Sequence, residues 1–124
     1  MDWKFTPDRP VYQQIMQLLR GQILRNELPP GSRVPSVREL AAQAQVNPNT
    51  VQRAMNELER EGLLVGGGTN GRTVTEDKAV LEKARADVMK ALARECAEQF
   101  MVFGVSPGEA AAMLLALEGE QEET

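Results

Sequence analysis

The sequence predicts a mainly α fold: three N-terminal helices, a small β-hairpin, then two further helices. Three observations carry this. Hydrophobic residues recur at helical spacing through most of the chain. Two short periodic segments start on residues suited to cap a helix, Ser36 and Asn47. The glycine-rich stretch "LLVGGGTNGRTV" reads as two short strands about a turn.

The first helix is expected over residues 10–28, with Val11, Ile15, Leu18, Leu19 and Ile23 on its packed stripe. Pro10 suits its first turn, where a missing N–H costs nothing. "LPPGSRVP" then stops it. "SVRELAAQA" is the second helix. Ser36 and Glu39 form a capping box, and Val37, Leu40, Ala41 and Ala44 form the packed face. At about two turns it cannot stand alone.

The third helix starts at Pro48 with Asn47 as its cap, and Gly62 ends it. At about 100° per residue, Val51, Ala54, Met55 and Leu58 share one side. Asn49, Gln52, Arg53, Asn56 and Arg60 fall almost opposite. After it, residues 63–65 and 72–75 can pair as a hairpin, with Asn70-Gly71 favouring a type I′ turn. Residues 76–103 read as one long helix with a stripe of Leu81, Ala84, Val88, Leu92, Cys96, Phe100 and Phe103, broken by Gly104. Ser106, Pro107 and Glu109 start a last helix whose apolar face is Met113, Leu114 and Leu117. "EGEQEET" is an acidic tail.

Composition narrows the chemistry. The 124 residues suit one small domain with an appendage. There is no histidine, which removes histidine-based triads, metal sites and proton shuttles. No nucleophile–base pair or metal cluster appears, so an enzyme, a metal site and a cofactor are not expected. Cys96 is the single cysteine, so a reducing compartment is expected and the thiol is read as buried and inert. Met16, Met55, Met89, Met101 and Met113 are read as core or interface filling, and Trp3 and Phe5 as anchors of the N-terminus. The longest apolar run, "AAAMLLAL", is eight residues, too short for a bilayer. No secretory leader is seen at the start. The expected location is the cytoplasm, with no membrane partner.

The net charge is −4, which argues weakly against nucleic acid. It is unevenly spread. Residues 1–75 carry nine Lys/Arg and seven Asp/Glu; residues 76–124 carry five and eleven. That fits a DNA-facing head and a separate acidic body.

Two short helices joined by a tight turn, with a longer helix before and a hairpin after, make a winged helix-turn-helix. The third helix then has a purpose for its polar side. A helix fits the major groove, where Asn and Gln amides match adenine and Arg matches guanine or a phosphate. A solvated surface is the simpler reading of such a face, and a protein-binding winged helix without DNA is the competing function. Arg38 could likewise pair with Glu39 or another acid.

Four segments resemble the GntR family of bacterial transcription regulators, in its short YtrA-like branch: "PVYQQI" from Pro10, "LPPGSRVPSVRELA" from Leu28, "VNPNTVQRAMNELEREGLL" from Val46, and the hairpin. The resemblance covers about residues 6–75. It implies a homodimer, a repressor, and a double-stranded palindromic operator as partner, with room for a small-molecule effector of unknown identity. It places Arg38, Asn47, Pro48, Asn49, Thr50, Gln52 and Arg53 at DNA, and Gly71 and Arg72 at the wing tip. Arg33 and Ser36 complete the expected contact set. Two departures stand out. Gly66, Gly67 and Gly68 occupy wing positions where relatives carry basic residues. Gln45 sits at a turn where glycine is frequent, at a cost of roughly 1 kcal/mol if its backbone is left-handed.

The chain therefore divides into a winged helix-turn-helix domain, residues 1–75, and a helical dimerisation segment with an acidic tail, residues 76–124. The second is too short for the large effector pocket of longer branches. An apolar stripe on a long helix needs cover. The expected dimer interface is Leu81, Ala84, Val88, Leu92, Cys96, Phe100, Phe103, Met113, Leu114 and Leu117.

Overall fold

Pro10 stands immediately before α1 (Val11–Leu24), not inside its first turn. Its carbonyl accepts the N–H groups of Gln13 (3.1 Å) and Gln14 (3.4 Å). The computed structural model describes residues 3–66 and 71–122. After α1 come α2 (Val37–Ala44), α3 (Pro48–Arg60), β1 (Leu64–Gly66), β2 (Arg72–Val74), α4 (Lys78–Val102) and α5 (Pro107–Glu122). The chain forms two compact units, Met1–Ala84 and Arg85–Thr124.

In the first unit, α1 and α2 both pack on α3. The core is Ile15, Leu19, Ile23, Val34, Leu40, Ala41, Val51, Ala54, Met55, Leu58, Leu63, Leu64 and Val74. It contains most of the packed faces expected of α1, α2 and α3; Val11, Leu18 and Val37 are only half-buried, and Ala44 is buried outside this cluster. One polar side chain is buried with them. The Gln14 amide accepts the Thr6 N–H (2.9 Å) and donates to the Thr6 and Arg9 carbonyls (2.8 Å each). It ties the N-terminal arm to α1, and Trp3 and Phe5 pack against the same core.

α1 ends at Leu24, short of the expected residue 28. Asn26 turns the backbone left-handed (φ 67°), a conformation that asparagine tolerates better than most residues. The chain folds back so that the Glu27 and Leu28 N–H groups reach the Gln22 carbonyl (2.8 and 3.0 Å). Leu28 is thereby turned onto the core.

β1 and β2 pair antiparallel, with Leu64 opposite Val74, Val65 opposite Thr73 and Gly66 opposite Arg72. This is within one residue of the expected hairpin. The expected turn at Asn70, with Gly67 and Gly68, lies outside the described residues. The segment before α2 adds to the free edge of β2, which the sequence did not signal. Arg33 bridges to Thr73, the Val34 N–H donates to Arg72 O (3.0 Å), and the Val74 N–H donates to Ser32 O (2.9 Å).

Asp77 caps α4, accepting the N–H groups of Ala79 (3.0 Å) and Val80 (3.4 Å). The helix thus starts two residues after the expected position 76. Val80, Leu81 and Ala84 pack against the core of the first unit. Leu81 and Ala84, expected at a dimer interface, serve the protein's own core here. The reason is the path out of the wing. The Thr75 N–H donates to Leu63 O (2.9 Å), which sets the chain against that core as α4 begins.

In the second unit, α4 ends at Val102, before Phe103, which is 84% exposed. Ser106 caps α5 by accepting the Glu109 N–H (3.2 Å). Ala110 is buried, while Met89, Leu92, Met101, Met113, Leu114, Leu115 and Leu117 are all exposed. Val88, Cys96 and Phe100 are half-buried. Among the described residues, no single helix is long and apolar enough to cross a membrane.

Candidate nucleic-acid interface

Asn47 opens α3 with an extended backbone, and its side-chain oxygen accepts the Asn49 N–H (2.8 Å). Pro48 follows at the first helical position and needs no donor. The first turn carries no carboxylate, so nothing there competes with an anion for the open end of the helix dipole. Val51, Ala54, Met55 and Leu58 are at most 1% exposed, which locks the rotation of the helix about its axis. Asn49, Gln52, Arg53 and Asn56 are consequently turned to solvent, with Thr50 half-buried beside them.

The acids of α3 lie in its second half, after Arg53. The acids of α3 and its cap are engaged: Glu57 with Arg60 (3.3 Å), Glu59 with Arg72 (3.5 Å), and Glu61 with Arg20 (2.6 Å). The side chain of Arg38, exposed on α2, has no hydrogen bond or ion pair with any described residue, Glu39 included. Its guanidinium is open to an outside anion.

Not every expected contact residue is equally available. The Ser36 hydroxyl is committed to the Glu39 N–H (3.1 Å) as the α2 cap. Arg33 is exposed, but its backbone is held in the wing. A shallow cleft of about 300 Å³ brings Arg33, Ser36, Gly71 and Arg72 together with Glu59. Arg72 does not project freely from it. Its side chain is 19% exposed, and it donates to Asn56 Oδ1 (2.8 Å).

Two participants were not anticipated. Tyr12, on α1, carries the Arg53 guanidinium carbon over its ring, 3.8 Å from the ring centre, and Arg53 donates to its hydroxyl (3.2 Å). Periodicity could place Tyr12 only at the border of the packed face of α1. Asn56 was visible on the polar face, but its role as acceptor for two side chains was not. Arg53 is therefore held by a stacked aromatic, which limits its rotamers at no electrostatic cost.

Comparison with known proteins agrees with this geometry. Residues 11–74 match the bacterial regulatory proteins of the gntR family. The chain is 32% identical to the uncharacterized HTH-type transcriptional regulator YhcF of Bacillus subtilis over 88% of its own length and 90% of that protein's. It is 39% identical to the HTH-type transcriptional repressor YtrA of the same organism, over 65% of this chain and 63% of YtrA. A GntR family regulator from Listeria monocytogenes superposes with a TM-score of 0.84 at 30% identity, covering 90% of this chain and 98% of that one. The DNA-binding domain of AraR, solved in complex with operator ORX1, gives a TM-score of 0.55 at 25% identity over 58% of this chain and 93% of that one.

Proposed function

Because the chain belongs to the GntR family of bacterial regulatory proteins, we propose that it is a sequence-specific transcriptional repressor that binds a palindromic operator as a homodimer. One observation carries the reading: a capped helix rotated so that Asn49, Gln52 and Arg53 face outward, with an acid-free first turn. Amides and a guanidinium in that arrangement match base edges in a major groove, and Arg38 suits a phosphate. Asn47, Pro48 and Thr50 lie at the same end, where backbone meets backbone in such complexes.

The second unit supports the dimer. Leu92, Met101, Phe103, Met113, Leu114 and Leu117 are each between 46% and 84% exposed, large apolar side chains that a partner would take out of water. A second copy covers it and sets two α3 helices about one helical turn of DNA apart, roughly 34 Å.

The test is a titration of the full chain against the duplex upstream of its own gene and against an unrelated duplex, at two salt concentrations. Preference for the first, weakening with salt, is expected. Equal or absent binding to both would favour the competing reading, a winged helix that docks on protein. The net charge of −4 is the observation on that side.

A further inference from the structure

Asn56, in the middle of α3, has its carbonyl oxygen fully occupied. Oδ1 accepts one N–H from Gln52 Nε2 and one from Arg72 Nη2, each at 2.8 Å. A carbonyl oxygen has two lone pairs, so both are used, and the side-chain amide cannot flip without setting its NH₂ against two donors. Arg72 comes from wing strand β2, and its Nε lies 3.5 Å from Glu59 Oε1. Gly66, opposite Arg72 in the hairpin, lies close to the same carboxylate: a Cβ there would stand 2.8 Å from Glu59 Oε1.

We propose that Asn56 is a positioning residue for base readout: it orients the Gln52 amide toward a base edge and ties that amide to the wing through Arg72, which acts as a strut and not as a phosphate ligand. This rests on the DNA-binding reading given above. Gln52 spends one Nε2 hydrogen on Asn56. Its second N–H and its Oε1 remain, a donor and an acceptor side by side, the pair that matches N7 and N6 of adenine. An exposed glutamine without such a tether samples many rotamers and loses discrimination to entropy. Arg72 donates Nη2 to an amide oxygen, and its buried Nε, which makes no hydrogen bond, faces a carboxylate 3.5 Å away. A phosphate approaching it would also meet the Glu59 charge.

The experiment selects a preferred duplex for the full-length wild type from a randomised pool, then measures every single-base variant of it against wild type, Gln52→Ala, Asn56→Ala, Asn56→Asp and Arg72→Ala. Circular dichroism melts accompany each, and Asn56 is exposed, so folding is retained. Gln52→Ala and Asn56→Ala are expected to lose discrimination at the same base pair, by roughly five- to a hundredfold, the range of one amide–base pair. The double variant is expected to lose no more than Gln52→Ala alone. Asn56→Asp keeps the acceptor, so it keeps the preference while its charge weakens binding to all duplexes. Arg72→Ala is expected to leave the salt slope unchanged. Loss at a different base pair in Asn56→Ala would mean that Asn56 reads a base itself. Wild-type preference in Asn56→Ala, or a salt slope lower by about one in Arg72→Ala, would equally overturn the proposal while leaving the DNA-binding reading intact. A wild type that selects no duplex overturns both.

Discussion

Arg53 and Arg38 show how two exposed guanidiniums differ once their neighbours are known. Arg53 is stacked on Tyr12, whereas Arg38 has no described partner. Replacing Arg38 with alanine is expected to weaken binding to every duplex alike and lower the salt slope by about one, read from titrations across a salt series. Tyr12→Ala frees Arg53 and is expected to reduce affinity without changing that slope, because no charge is removed. Gln14 belongs to the same scale. Its amide is buried and fully bonded, so Gln14→Ala leaves the Thr6 N–H without its acceptor. A loss of about 1–3 kcal/mol in unfolding free energy is expected, measured by chemical denaturation.

At the scale of elements, one device recurs. α1, α2, α3 and α4 are each followed by a left-handed residue: Asn26, Gln45, Gly62 and Gly104. The next N–H then reaches back five residues: Glu27 to Gln22, Val46 to Ala41, Leu63 to Leu58, and Val105 to Phe100. This satisfies carbonyls that a helix end leaves open. Glycine does it without strain at two ends. Gln45, at φ 55°, bears the cost expected of it in the turn between α2 and α3. Gln45→Gly is therefore expected to stabilise the fold by up to about 1 kcal/mol, since glycine's extra chain entropy offsets part of the relief; a denaturation midpoint that falls would contradict this. The wing is the other element-level result. The edge of β2 is covered by the Arg33 segment, which removes an open strand edge beside the interface.

The whole molecule consists of two units with different demands. The first buries its core with α1, α2, α3, the hairpin and the start of α4. The second leaves its apolar residues largely exposed. Leu92→Asp is expected to yield monomers by light scattering, with the first unit still folded and operator affinity strongly reduced; a variant still dimeric would reject this interface. The compact first unit runs to Ala84, past the expected boundary at residue 75, because Val80, Leu81 and Ala84 close its core.

The helices, the caps at Ser36, Asn47 and Ser106, and most of the packed faces were legible in the sequence, because each depends on residues within a few positions of one another. Ser36, Asn47 and Gly62 signal helix ends locally, and Val51, Ala54, Met55 and Leu58 signal a buried side by spacing alone. That was enough to place Asn49, Gln52 and Arg53 on the outside. What only the tertiary structure decided is which polar groups meet across elements. Arg53 and Tyr12 are 41 positions apart, and Arg72 and Asn56 are 16 apart. Spacing along one helix carries no information about such pairs. They exist because the buried faces fix how α1, α3 and the wing lie against each other, and only then do their polar borders touch.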